Sequence, residues 1–316
     1  MSIHQELQRK ARWLPRSVGR SAVVRFARFV DRFPRRSSLQ KNGLSIEEYL
    51  LPGRGQARVR VIAPSQPSAV PRPAVLWIHG GGYVIGRAAL DDHIAMNFAR
   101  KLNVVVVAAD YRLAPEHPYP IPLQDCYAAY QWLHSEAGRL GLDVEQVVVA
   151  GQSAGGGLAA ALVQLLHDRQ DPQPVLQLLV YPMLDDRTCL RSLEQRDFRL
   201  WDQKSNRFGW RSYLGHEPGT NAVETYAVPA RRGDLRGLPM TWIGVGTCDL
   251  FHDECVDYGR RLRASGVPTE LCVVEGAFHG FELVVPEAGV SQGFVEAQVA
   301  AMRKVLCAPP QQTGSC

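Results

Sequence analysis

From residue 44 onward the apolar residues fall into two patterns that alternate along the chain. Short β-branched runs are separated by longer stretches in which apolar positions recur every three or four residues. Strand-length runs occur at 46–51, 57–63, 74–79, 104–109, 147–152, 176–181, 240–246 and 269–275, and helical spacing at 88–101, 122–138, 154–168, 252–265 and 290–306. In the second helical stretch Leu123, Cys126, Tyr127, Tyr130 and Leu133 share one stripe. Eight strands alternating with helices predict an α/β fold whose mostly parallel sheet is covered on both faces. Residues 186–225 follow neither period and are rich in Arg, Trp and Phe, including Phe198, Trp201, Phe208, Trp210 and Tyr213. They read as a helical insertion over the C-terminal edge of the sheet, where α/β proteins bind ligands. Before residue 34, Val23, Phe26, Ala27, Val30 and Phe33 form an apolar stripe with arginines on the other faces, predicting an amphipathic helix over 17–33 that Pro34 helps to end.

Composition narrows the class. The chain has 316 residues, 46% hydrophobic and 21% charged, which is ordinary globular usage and excludes collagen-like, disordered and heptad-repeat chains. The longest apolar runs, 104–109 and 176–183, are strand-length, so no transmembrane span is expected. The net charge of +5 is local: the first 36 residues hold ten of the 36 Lys and Arg and two of the 31 Asp and Glu, leaving the body with 26 against 29. A basic arm on a slightly acidic body does not predict a nucleic-acid surface. A helix this short predicts a segment packed on its own protein rather than stable membrane insertion, with a membrane-surface helix as the alternative reading. Arginines interrupt the arm as a secretion signal, and the seven cysteines are odd in number and lack a Cys-x-x-Cys pair. The expected location is cytoplasmic, with reduced thiols.

Chemistry is written most sharply at Gly151-Gln152-Ser153-Ala154-Gly155, between an apolar strand and a helical stretch. A G-x-S-x-G turn in that context forces the serine into a tight elbow that lifts its hydroxyl clear of the sheet, at the positive end of the helix that follows. His79-Gly80-Gly81-Gly82 leaves another strand end and exposes backbone amides without side chains, the kind of donor an acyl-transfer oxyanion requires. In an α/β-hydrolase arrangement the acid follows the nucleophile after a late strand and the base follows the last strand. Of nine histidines only His279 lies after 269–275, while His252 reads as a surface histidine at a helix start. Asp249 is the first carboxylate after 240–246, with Asp253 as runner-up; Asp253 and Glu254 read as helix-start dipole partners. No Cys/His set has zinc-ligand spacing and no Lys-Ser/Thr follows the Gly-rich turn, so neither metal nor organic cofactor is expected.

His79 to Tyr83 (HGGGY), Asp110 to Pro118 (DYRLAPEHP), Gly151 to Gly156 (GQSAGG), Tyr181 to Asp185 (YPMLD) and Asp249 to Glu254 occur in that order. The chain resembles the hormone-sensitive-lipase-type carboxylesterases over roughly 45–306. The resemblance implies an α/β-hydrolase domain over 45–310, with a helical cap made from 1–44 and the insertion near 186–225, and a tail at 311–316. It implies Ser153 as nucleophile, His279 as base, Asp249 as orienting acid, and an oxyanion hole of Gly81, Gly82 and the Ala154 amide. Gln152 departs from the acidic residue or threonine usual before the serine, Gly157 from a common asparagine, and Leu250 from a frequent proline. Tyr83, Gln152, Trp201, Phe208 and Trp210 are candidates for the substrate pocket. The implied partner is a small-molecule ester, with a homodimer as an admissible assembly. Two other readings follow from the same resemblance: a deacetylase or amidase acting on an acetylated metabolite, and a non-catalytic small-molecule receptor, against which the presence of His279 argues.

Overall fold

The computed structural model describes residues 2–15, 17, 39–41, 43–191, 198–221 and 223–306. The expected amphipathic helix over 17–33 lies outside them, apart from Ser17, as do part of the insertion and the tail. In chain order the elements are α1 (Gln5–Ala11), β1 (Leu39–Lys41), β2 (Leu44–Leu50), β3 (Arg58–Pro64), β4 (Arg72–Ile78), α2 (Asp92–Leu102), β5 (Val105–Asp110), α3 (Ile121–Ser135), α4 (Ala137–Leu140) and β6 (Leu142–Gln152). They continue with α5 (Ala154–Arg169), β7 (Leu176–Val180), α6 (Gln203–Leu214), β8 (Thr241–Gly246), α7 (His252–Ala264), β9 (Thr269–Val274), α8 (Phe281–Val284) and α9 (Gly289–Leu306).

The strands form one nine-stranded sheet in the order β1-β2-β3-β5-β4-β6-β7-β8-β9. The eight strands expected from the sequence are β2 to β9. The ninth, β1, is a three-residue edge strand paired antiparallel with β2, too short to register as an apolar run. Pairing is antiparallel through β1, β2, β3 and β5, and parallel from β5 across to β9. Five of the six residues of β5 and all of β7 are buried, as continuous Val/Leu/Ala runs require when helices cover both faces. β2, near the antiparallel edge, instead mixes buried and exposed positions.

Parallel pairing decides where a site can form. The C-terminal ends of β4, β6, β7, β8 and β9 lie side by side, so the loops leaving them converge on one edge. The loop after β4 carries the three glycines, that after β6 carries Ser153, that after β8 carries Asp249, and that after β9 carries His279. Residues 126 positions apart in the chain meet because their strands are near neighbours in the sheet.

Candidate active site

Ser153 sits between the last residue of β6 and the first of α5 with φ +54° and ψ −121°, outside the regions that L side chains prefer. The flanking glycines make this turn possible. A Cβ at Gly151 would lie 2.4 Å from the Gly155 carbonyl oxygen, and one at Gly155 would lie 2.1 Å from the Ile78 oxygen. The backbone is pinned from the neighbouring strand as well: the Ser153 amide donates to the Val180 oxygen and the Met183 amide to the Ser153 oxygen, both at 2.9 Å.

Ser153 Oγ lies 2.9 Å from His279 Nε2, and His279 Nδ1 lies 2.8 Å from Asp249 Oδ2. Asp249 is fully buried, and its other oxygen accepts the Phe251 amide at 2.9 Å. A carboxylate facing Nδ1 fixes the tautomer: Nδ1 carries the proton and donates, and Nε2 is left to accept from the serine hydroxyl. The imidazole is held edge-on by Tyr181, at 4.7 Å between ring centroids, and by Phe251, at 5.2 Å. The two loops are locked together, since the Cys248 amide donates to the Ala277 oxygen at 3.0 Å and Gly246 leaves room for that oxygen.

The glycine loop after β4 is equally constrained. Gly81 and Gly82 have φ of +113° and +59°, and the Gly81 carbonyl accepts the Val84 and Ile85 amides, each at 3.0 Å. His79 anchors the base of the loop: its ring stacks on Tyr111 at 4.3 Å, its Nδ1 lies 2.7 Å from the Gly80 oxygen, and its own carbonyl accepts the Tyr111 hydroxyl at 3.1 Å. Arg112, next in the chain, grips the buried Asp125 through two hydrogen bonds of 2.8 and 2.7 Å. The DYR segment therefore serves as the footing of the glycine loop.

Ser153, His279, Gly80, Gly81 and Gly82 all line a cavity of about 730 Å³ whose walls are mostly apolar. Gln152 and Trp201 line it too. Of the other pocket candidates, the structure places Tyr83, Phe208 and Trp210 away from the cavity lining. Tyr83 is buried and stacked on Tyr213 at 4.0 Å, and Trp210 is buried against both, so these rings pack the insertion onto the glycine loop rather than face the cavity. Phe208 packs at the edge of the hydrophobic core. Leu200, Leu283 and Val284, which sequence patterning did not single out, supply apolar wall instead.

The departure at Gln152 is accommodated by a buried polar chain. Its Nε2 donates to both oxygens of Asp91, at 3.1 and 3.0 Å, and its Oε1 accepts the Tyr181 hydroxyl at 3.3 Å. Asp91 also accepts the Trp77 indole at 2.8 Å, and burial raises its carboxyl above the usual range. The same hydroxyl lies closer, at 2.5 Å, to Glu282 Oε1, so its single proton is shared between the two acceptors with the shorter contact to Glu282. One phenol thus joins the residue before Ser153 to a residue three places after His279. Asp91 and Glu282 were invisible as site residues, because a carboxylate in Leu-Asp-Asp-His or Gly-Phe-Glu carries no sign of its burial.

Of the runner-up acids, Asp253 lies 2.8 Å from His252 Nδ1 and stays with its neighbour. Glu254 stands in the first turn of α7, and its contacts go beyond the helix start. It is buried, and it accepts the Leu184 amide at 2.7 Å, the Asp185 amide at 3.2 Å and the Thr188 hydroxyl, tying down the turn after β7. All five described cysteines are free thiols. Among the described residues no three His, Cys, Asp or Glu side chains come together as a metal-ligand set, and no helix is long and apolar enough to cross a membrane.

A family described as having the alpha/beta hydrolase fold matches residues 75–283, well over half of the chain. The chain belongs to this family, in its hormone-sensitive-lipase-type carboxylesterase branch. Among similar proteins are esterase LipI of Mycobacterium tuberculosis, 36% identical over 77% of this chain and 76% of its own, and ethyl acetate hydrolase of Pseudomonas putida, 34% identical over 71% and 70%. The solved structure of a bacterial heroin esterase superposes with a TM-score of 0.86 at 34% identity, covering 96% of this chain and 98% of its own. The family members share the sheet and the order of its loops, so the convergence of loops after β4, β6, β8 and β9 is a property of the fold. The buried chain through Asp91, Gln152, Tyr181 and Glu282 is read from this chain's own residues.

Proposed function

We propose that the protein is a serine carboxylesterase that hydrolyses short- to medium-chain acyl esters through Ser153, His279 and Asp249. It is a carboxylic ester hydrolase by family; the observation that carries the finer reading is the unbroken hydrogen-bonded line from Asp249 through His279 to Ser153, ending in a mostly apolar cavity beside a side-chain-free glycine loop. In the first half-reaction His279 Nε2 takes the Ser153 proton as Oγ bonds to the ester carbonyl carbon. The tetrahedral oxyanion is met by the amides of Gly81, Gly82 and Ala154, the last at the start of α5. The imidazolium, steadied by Asp249, returns the proton to the leaving alcohol as the C–O bond breaks, leaving acyl-Ser153. Water, deprotonated by His279, then hydrolyses the acyl-enzyme and restores the serine.

The cap reading has partial support. Leu200 and Trp201, from the insertion, line the cavity, and the first residues of the chain reach over the same edge. The Leu200 amide donates to the Pro15 oxygen and Arg199 donates to the Ala11 oxygen, both at 2.9 Å, while Ser17 Oγ lies 3.0 Å from Ser205 Oγ. A mostly apolar cavity of this size favours acyl chains of about two to eight carbons. The test is a series of p-nitrophenyl esters from acetate to palmitate together with labelling by a serine-directed phosphonate. The expected result is label on Ser153 alone and turnover falling steeply beyond C8. Label on another residue, or turnover that survives Ser153→Ala, contradicts the mechanism; equal rates on C16 esters contradict the chain-length assignment.

A further inference from the structure

A second cavity, of about 360 Å³, lies against the wall of the first, between α2 and α9. Three side chains, His93, Gln152 and Leu283, line both cavities. Leu283 is 39% exposed, so it forms a ridge between two openings rather than part of a sealed partition. Ile94, Phe98 and Val295 give the second cavity apolar sides. Its polar lining differs from that of the first. Glu282 is 7% exposed and Ser291 1%, and both line it, yet Glu282 Oε2 and Ser291 Oγ have no hydrogen-bond partner among the described residues. The side-chain partner of Glu282 is Tyr181, on Oε1.

An unpaired carboxylate oxygen and an unpaired hydroxyl beside apolar sides define a chemistry. A plain hydrocarbon placed there leaves both oxygens unpaired, whereas an N–H group pairs one or both. An anion would face the Glu282 carboxylate. Of the two long cations at the rim, Lys101 is paired with Glu296 and Arg100 reaches back to Met96 Sδ at 4.0 Å. We propose that the second cavity is a distal substrate compartment, reached over Leu283, and that it selects esters whose acyl chain ends in an N–H group, as an amide or an ammonium. This rests on the esterase reading above and names the substrate class for it. Sites built to pair a substrate N–H reject the analogue that lacks it far more strongly than apolar pockets sort chain length, so the selectivity is expected to be large.

The experiment compares p-nitrophenyl esters of length-matched acyl chains ending in methyl, acetamide or ammonium, with acetate as reference, at pH 8.5. Burial pushes Glu282 up to about 7, so at that pH its carboxyl is ionised and accepts only. The wild-type protein is expected to prefer both N–H-ended esters over the methyl-ended one by at least tenfold in kcat/KM. Ser291→Ala should cut that preference severalfold. Glu282→Gln, which keeps an acceptor for Tyr181, should lower the ammonium arm more than the acetamide arm. Leu283→Trp should depress all three long esters relative to acetate. Equal kcat/KM for methyl and N–H ends in the wild-type protein, meaning that the compartment holds water only, overturns the proposal, as does a preference unchanged by Ser291→Ala and Leu283→Trp. Failure of the esterase reading is distinguishable, because no ester, acetate included, would then be turned over through Ser153.

Discussion

Ser153 holds its hydroxyl above the sheet by occupying a backbone conformation that costs an L side chain roughly 1–3 kcal/mol. The cost comes from Cβ and not from the hydroxyl, so Ser153→Ala keeps the strain while Ser153→Gly releases it. Urea unfolding should place Ser153→Gly about 1 kcal/mol above Ser153→Ala in stability, with both inactive; equal midpoints would show that the elbow is relaxed. The acid is tested in the same way. Asp249→Asn should lower kcat by about 10⁴, because an amide facing Nδ1 favours the wrong imidazole tautomer. Asp253→Asn, whose contact is the neighbouring His252, should change kcat by less than about threefold, and equal losses would reassign the acid. That Ser153, Asp249 and His279 come together was legible because local context singles them out: a glycine-framed serine, the first carboxylate after one strand, and the single histidine after the last. The grouping of Asp91, Tyr181 and Glu282 was not. Their meaning depends on each other, and β6, β7 and α8 come together only in the folded sheet.

At the level of elements, the eight longer strands and the helices α2, α3, α5, α7 and α9 fall within about five residues of their sequence-based bounds, since buried parallel strands and amphipathic helices impose different periods on the chain. The insertion near 186–225 was harder to read, because aromatic residues there serve two ends. Trp201 lines the cavity while Trp210 and Tyr213 pack on one another and on Tyr83 of the glycine loop, and aromatic content alone does not distinguish the two. The turn after β7 depends on Glu254, whose carboxyl burial pushes up from a usual value of 4.5 to about 8. A folded carboxyl that holds its proton more tightly than the unfolded one stabilises the protein fully below the unfolded value, and that stability is lost as pH rises through the folded one. Burial of Glu282 acts in the same direction. Thermal stability should therefore fall between about pH 5 and 8.5. Glu254→Gln, which can still accept the Leu184 and Asp185 amides, should flatten that slope while folding normally. An unchanged slope in calorimetry would mean that Glu254 is ionised throughout.

Over the whole molecule, the first residues of the chain act as a strap across the open edge of the sheet. The His4 amide donates to the Gly276 oxygen at 2.9 Å, three residues before His279, and Gly276 leaves no space for a side chain there. Farther along, Ala11 and Pro15 reach Arg199 and Leu200 beside the cavity. Removing residues 1–16 should lower both thermal stability and kcat/KM on short esters; unchanged values for both would show that the strap is ornamental. The contact between α6 and the glycine loop has a wider consequence. Gly209 brings the backbone of α6 so near that a methyl group there would lie 2.8 Å from the Gly82 oxygen, and Trp201 covers Gly82 from the same side. The insertion and the glycine loop beneath it thus meet in direct contact, and the proposed cap and oxyanion donors are expected to move together. A cap that tilts away to admit a bulky ester would carry the Gly82 peptide with it and detune charge stabilisation at Ser153. Selection against oversized esters would then register as slow chemistry on molecules that bind well, with low kcat and nearly normal KM.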